Sequence, residues 1–179
     1  MIVLTASSAL CTAALRARGV RCTFVTCEGR LPRVHAAGSV RLGRIALRCR
    51  IAPVEIGAES DGALSIGDRT FINQGASVVA SHLIEVGPDV RIGDFAAVYD
   101  SDHHPVDQLT PTTVAPVRIE QNAWLGRGAI VLPGTVIGAH AVVAAGAVVR
   151  GTVPPRTLVA GNPARPVREL SAEDGWRRP

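Results

Sequence analysis

Two adjacent histidines, His103 and His104, stand in the stretch VYDSDHHPVD, with Asp100 and Asp102 before them and Pro105-Val106-Asp107 after. An ordinary imidazole titrates near pH 6.5, so its neutral form is available at physiological pH to take a proton from a hydroxyl. A base placed that way speeds a group transfer by roughly 10²–10⁴. Asp102 or Asp100 is near enough in sequence to orient such a ring through its other nitrogen. A different chemistry would use His82, His103, His104 and His140. Three imidazoles brought together would hold zinc and leave a coordination position for water. The plain alternative is that these are solvated loop histidines.

The elements that must position these groups are set by a six-residue period. The clearest run reads IEQNAW LGRGAI VLPGTV IGAHAV VAAGAV VRGTVP, led by Ile119, Leu125, Val131, Ile137, Val143 and Val149. Two shorter runs are led by Ile66, Ile72 and Val78 and by Val86, Ile92 and Val98. Neither an α-helix nor a hairpin meander has this period. A coil with three flat faces does, one short strand and one corner per hexamer, and such coils stack a continuous core. The leads then form three columns: Ile66, Val86, Ile119 and Ile137; Ile72, Ile92, Leu125 and Val143; Val78, Val98, Val131 and Val149. Stacked strands lie about 4.8 Å apart, so each column is a ladder of mainly β-branched side chains. Two slips interrupt the period. Two extra residues precede Val86, and a longer insertion from Asp102 to about Pro116 carries both His103 and His104 out as a corner loop.

Composition narrows the classes. The length suits one domain, and aromatics are only 3%, as a narrow interior of Val, Ile and Ala requires. The net charge is +4, but the basic residues are all Arg and are scattered until Arg165, Arg168, Arg177 and Arg178. This argues against a nucleic-acid surface, while the C-terminal group suits a phosphate-bearing ligand. Cys11, Cys22, Cys27 and Cys49 show no CxxC spacing and read as buried or half-buried thiols in a reducing cytosol. No run is long and apolar enough to span a membrane. The apolar start, Met1 to Leu15, lacks a basic leader, so a cytoplasmic location is expected.

Residues 1–40 have no clear period and are expected as an N-terminal arm or irregular first coils, with a short helix around Ala9 to Arg18. Residues 41–179 form the solenoid and its extension within a single domain overall. Glu59 to Gly62 is a turn, and Pro154-Pro155 ends the regular prism. RTLVAGNPARPV is expected as an ordered loop, and Val167 to Trp176 as a short C-terminal helix.

Taken together, IGDRTFINQG, IGDFAAVYDSDHHPVD, APVRIEQNAWLGRGAIVLPG, VVAAGAVV and VPPRTLVAGNPARPVRE resemble the hexapeptide-repeat acyltransferases, in particular their galactoside/maltose acetyltransferase branch. The resemblance covers roughly Leu64 to Leu170. It implies an all-β fold, a left-handed parallel β-helix, assembled as a homotrimer with its sites between subunits. It implies a CoA-dependent acyltransferase, with acetyl-CoA or another acyl-CoA as donor and no metal, acting on a sugar-like or natural-product hydroxyl. The implied base is His104, which precedes Pro105 as the family histidine does, with Asp102 beside it. Asn73, His103 and Trp124 would meet the acceptor, with Trp124 also beside the histidine and the CoA arm. Gly126, Ala145, Gly146, Arg150, Arg165 and Arg168 would hold CoA, with Arg150 standing where a Thr-Lys pair is common. The rivals on the same fold are a zinc enzyme of the γ-class carbonic anhydrase type and a non-catalytic trimeric scaffold.

Overall fold

The computed structural model describes residues 6–173 and 175–179, so the first residues of the apolar start lie outside it. The hexamers coil into a three-faced parallel β-helix, and the columns pair in the register their spacing requires. On the first face Ile66 pairs with Val86, Val86 with Ile119 and Ile119 with Ile137. On the second, Ile72 pairs with Ile92, Ile92 with Leu125 and Leu125 with Val143. On the third, Val78 pairs with Val98, Val98 with Val131 and Val131 with Val149. Further rungs extend each column, downward through Leu42, Leu47 and Ile56 and upward through Val153 and Val159, giving about seven coils. All these side chains are buried, and smaller ones (Ala76, Ala96, Ala123, Ala129, Ala141 and Ala147) fill the narrow corners between them.

The segment before Val40 adds helix Ala6–Ala17 and strands Arg21–Gly29 and Arg33–Ala36. Arg21–Gly29 runs parallel to Ser39–Cys49, and each spans two faces without a break, which is why no six-residue period shows there. The helix stops at Gly19, whose φ of 84° lets the chain turn back while the Val20 amide donates to the Leu15 carbonyl. It buries Cys11 and Leu15 against Val20, Val25 and Cys27. Among the described residues no helix is long and apolar enough to cross a membrane.

The C-terminus departs from expectation. No helix forms over Val167 to Trp176 in the described part. Thr157–Gly161 continues the second face, and Ala164–Glu169 turns back antiparallel to it through Asn162 and Pro163. The edge left open by the last coil is a better partner than solvent. Pro166, which has no amide to donate, is compatible with an outer strand but not with a helix interior. The loop expected from Arg156 to Val167 is therefore mostly this hairpin.

Candidate active site

Three kinds of corner separate the faces, and the implied site residues fall on different ones. The third-to-first corner carries the histidine loop. Its neck is a short antiparallel bridge from Ser101 to Val114, closed by the Asp102 amide donating to Thr113 and the Ala115 amide donating to Asp100. His104 lies beyond it, exposed, with its own amide donating to the Asp102 carbonyl. His103 has a φ of 58°, sets its ring edge-on to Tyr99 at 5.9 Å, and holds Nδ1 3.9 Å from Glu59.

The two acids do different work. Asp100 is fully buried, and its carboxylate accepts from the backbone amides of Ser81, His82 and Leu83. Those are the residues around the first slip in the period, so the acid that begins the histidine loop also closes the bulge one coil below. With those acceptors engaged, Asp100 is not the acid that orients an imidazole. Asp102 faces Arg150 at 3.4 Å, which ties the neck of the loop to an upper coil.

Asn73 sits at the second-to-third corner, where its amide donates to Ile92 and its side-chain oxygen accepts from the Gln74 amide. The strand Ser77–Ala80 lies between Asn73 and the corner of the histidine loop, a span of about 13 Å. Above Asn73 on the same corner come Gly126, Ala145 and Gly146. Gly126 is buried, and a Cβ there would lie 2.5 Å from the Ala145 amide nitrogen, so its smallness serves coil stacking. Ala145 and Gly146 are exposed, and the space beside Gly146 is open. Arg165 and Arg168 lie exposed on the outer hairpin strand, bonded only to nearby carbonyls of their own strand and in no ion pair among the described residues.

Trp124 stands on the outer side of the second face, 42% exposed, between Arg91 and Val142. It lines a cleft of about 360 Å³ with His140, Leu158, Arg168, Trp176 and Arg178. The first-to-second corner beside this cleft holds a ladder of residues with positive φ: Arg69, Asp89, Asn122, His140 and Arg156. Arg69 grips Asp89 with two bonds of 2.7 Å, which holds the Asp89 carboxyl below the usual range against the opposing effect of its burial. His140 is buried, with Nδ1 2.8 Å from the Asn122 side-chain nitrogen Nδ2, while His82 is exposed on another corner. Among the described residues no three His, Cys, Asp or Glu side chains gather as a metal site. Sequence reasoning missed this ladder, whose only signal is an Asp or Asn where the backbone must turn left-handed.

The architecture and the hexamer period define a hexapeptide-repeat β-helix. Residues 116–151 match the family described as bacterial transferase hexapeptide (six repeats). A hexapeptide-repeat acetyltransferase of Vibrio cholerae, solved with acetyl coenzyme A, is 33% identical over 78% of this chain and 70% of its own, with a TM-score of 0.60. A putative acetyltransferase of Schizosaccharomyces pombe is 35% identical over 60% of this chain and 53% of its own. A probable acetyltransferase of Mycobacterium tuberculosis is 32% identical over 79% of this chain and 54% of its own. The chain thus belongs to the hexapeptide-repeat acetyltransferase family, and it spans about half the length of these curated relatives.

Proposed function

We propose that this chain is an acetyl-CoA-dependent O-acetyltransferase for a sugar-like or natural-product hydroxyl, with His104 as base, working between subunits of a homotrimer. The observation that carries this reading is the placement of the site residues. His104, Asn73 and Trp124 lie on a loop, a corner and a face that point different ways, an arrangement suited to a site completed by a second copy. Two copies related by a three-fold axis can set the loop of one against the corner or face of the next.

The thioester is already activated, so no covalent enzyme intermediate is needed. The acceptor oxygen attacks the thioester carbonyl while its proton passes to the neutral imidazole of His104. Collapse of the tetrahedral adduct breaks the carbon–sulfur bond. The proton returns to the departing sulfur, giving an acetyl ester and CoA thiol. Arg165 and Arg168 have guanidinium forks in no ion pair among the described residues and suited to phosphate oxygens. Ala145 and Gly146 leave a bare corner where an extended pantetheine arm can lie against backbone.

The test is His104→Ala, assayed by CoA thiol release from acetyl-CoA with a panel of glycosides. Turnover should fall by about 10²–10⁴ while acetyl-CoA still raises the melting temperature as in the parent. A variant that keeps the parental rate overturns the assignment of the base.

A further inference from the structure

The last residues of the chain are held against the first-to-second corner by groups of four coils. After the outer hairpin strand, the Leu170 amide donates to the Arg156 carbonyl and Arg156 Nε donates to Ala172. The chain then runs back down the corner. The Asn122 side chain reads it as one strand reads another, donating to the Trp176 carbonyl at 3.0 Å and accepting from the Arg178 amide at 2.8 Å. Arg91 donates to the Arg178 carbonyl at 2.8 Å, Arg177 lies 3.5 Å from Asp89, and the Trp176 ring stacks on His140. The Arg178 guanidinium ends up over two indoles, 5.5 Å from the Trp124 ring and 4.9 Å from that of Trp176. It occupies part of the space that a planar or extended ligand would need in order to lie on Trp124, which stays 42% exposed.

We propose that Trp176-Arg177-Arg178 is a self-docked strap that competes with acyl-CoA for the exposed face of Trp124, so that the donor binds the strap-open form. This rests on the reading of the Trp124 face as part of the acyl-transfer site. The strap is built to release. Its backbone is well bonded, but Arg178 Nε is buried without a hydrogen-bond partner among the described residues. Burial and the neighbouring Arg91 also disfavour the charge on Arg178, so the side chain that blocks the indole is held in a costly position. A ligand that selects the open form binds with an apparent affinity reduced by the fraction of open strap.

The experiment compares acetyl-CoA affinity, by calorimetry, for the full chain, for a chain ending at Gly175, and for full-length Arg178→Ala. Both variants should bind at least about tenfold tighter, the factor for a strap that is open a tenth of the time or less. A peptide of residues 175–179 added in trans should weaken binding to the shortened chain. Equal or weaker binding by both variants overturns the strap and leaves the acyltransferase reading standing. Failure of all three proteins to bind acetyl-CoA overturns that reading and the strap with it.

Discussion

Asp100→Asn isolates what one buried carboxylate contributes to the histidine loop. Asp100 Oδ1 accepts from the Ser81 amide at 2.7 Å, and Oδ2 accepts from His82 and Leu83. Asparagine keeps the shape and one acceptor. Its NH₂ group then points at the two amides that Oδ2 served, or, if flipped, at the one that Oδ1 served. Orphaning a buried amide costs about 1–3 kcal/mol, and the better rotamer orphans at least one while setting donor against donor. The charge-assisted part of the remaining bond is also lost, so the total should be about 2–5 kcal/mol. For a chain of this size that is a fall in melting temperature of very roughly 5–15 °C. Asp102→Asn is the control, because its pairing with half-exposed Arg150 should be worth no more than about 1 kcal/mol. Thermal and urea melts of the parent and both variants at neutral pH decide the matter. If Asp100→Asn melts within 2 °C of the parent, or no lower than Asp102→Asn, the account of Asp100 as the clasp of this corner is wrong.

Gly126→Ala should cost about 3 kcal/mol in urea melts, because its Cβ would strike the backbone of Ala144 and Ala145. Gly146→Ala meets open space and should cost only about 1 kcal/mol, from its φ of 68°; the reverse order would contradict the stacking argument. A thiol reagent at pH 8 should modify half-buried Cys22 quickly and the other three cysteines only on unfolding. Hydrogen bonding with Cys11 pushes the buried Cys27 thiol up to about 12, and hydrogen bonding with Cys27, together with burial, pushes Cys49 higher still, while Cys11, which its bond with Cys27 lowers, is protected by complete burial alone. A second thiol as fast as the first would count against this packing. Asp89→Asn should destabilise by about 1–2 kcal/mol at pH 6, a figure reduced because Arg69 is half exposed. The folded carboxyl titrates below its usual value, so its contribution is complete above about pH 4 and fades as pH falls further. Stability curves of the two proteins should therefore converge in acid, and a gap that widens there would refute the pairing with Arg69.

The interior of this fold was legible because a six-residue period leaves few ways to bury its leads. Val78, Val98, Val131 and Val149 had to stack once the faces were counted, and they do. The two slips were also visible, but their cause was not, because Asp100 reaches back to amides one coil earlier and no local pattern announces such a bond. The first coils were obscured because Arg21–Gly29 and Ser39–Cys49 each cross two faces as a single strand. The C-terminal helix was misread because only Val167 and Leu170 share a helical face, whereas an open strand edge and a corner of polar side chains compete for the same residues. His104 and Asn73 were singled out from motifs. Their separation within one chain could be seen only once the corners were assigned.

The corner above Asn73 also works as a ruler. Asn73, Gly93, Gly126, Ala144 and Ala160 occupy the same place on successive coils, each of the first four donating its amide to the coil above. Four steps of about 4.8 Å set the first and last of them about 19 Å apart. That length can change only by whole coils, since losing a single residue would turn a column of leads outward, whereas losing eighteen would preserve every pairing. A ligand arm laid along this corner is therefore measured in quantised increments, and evolution can lengthen or shorten its berth only one storey at a time.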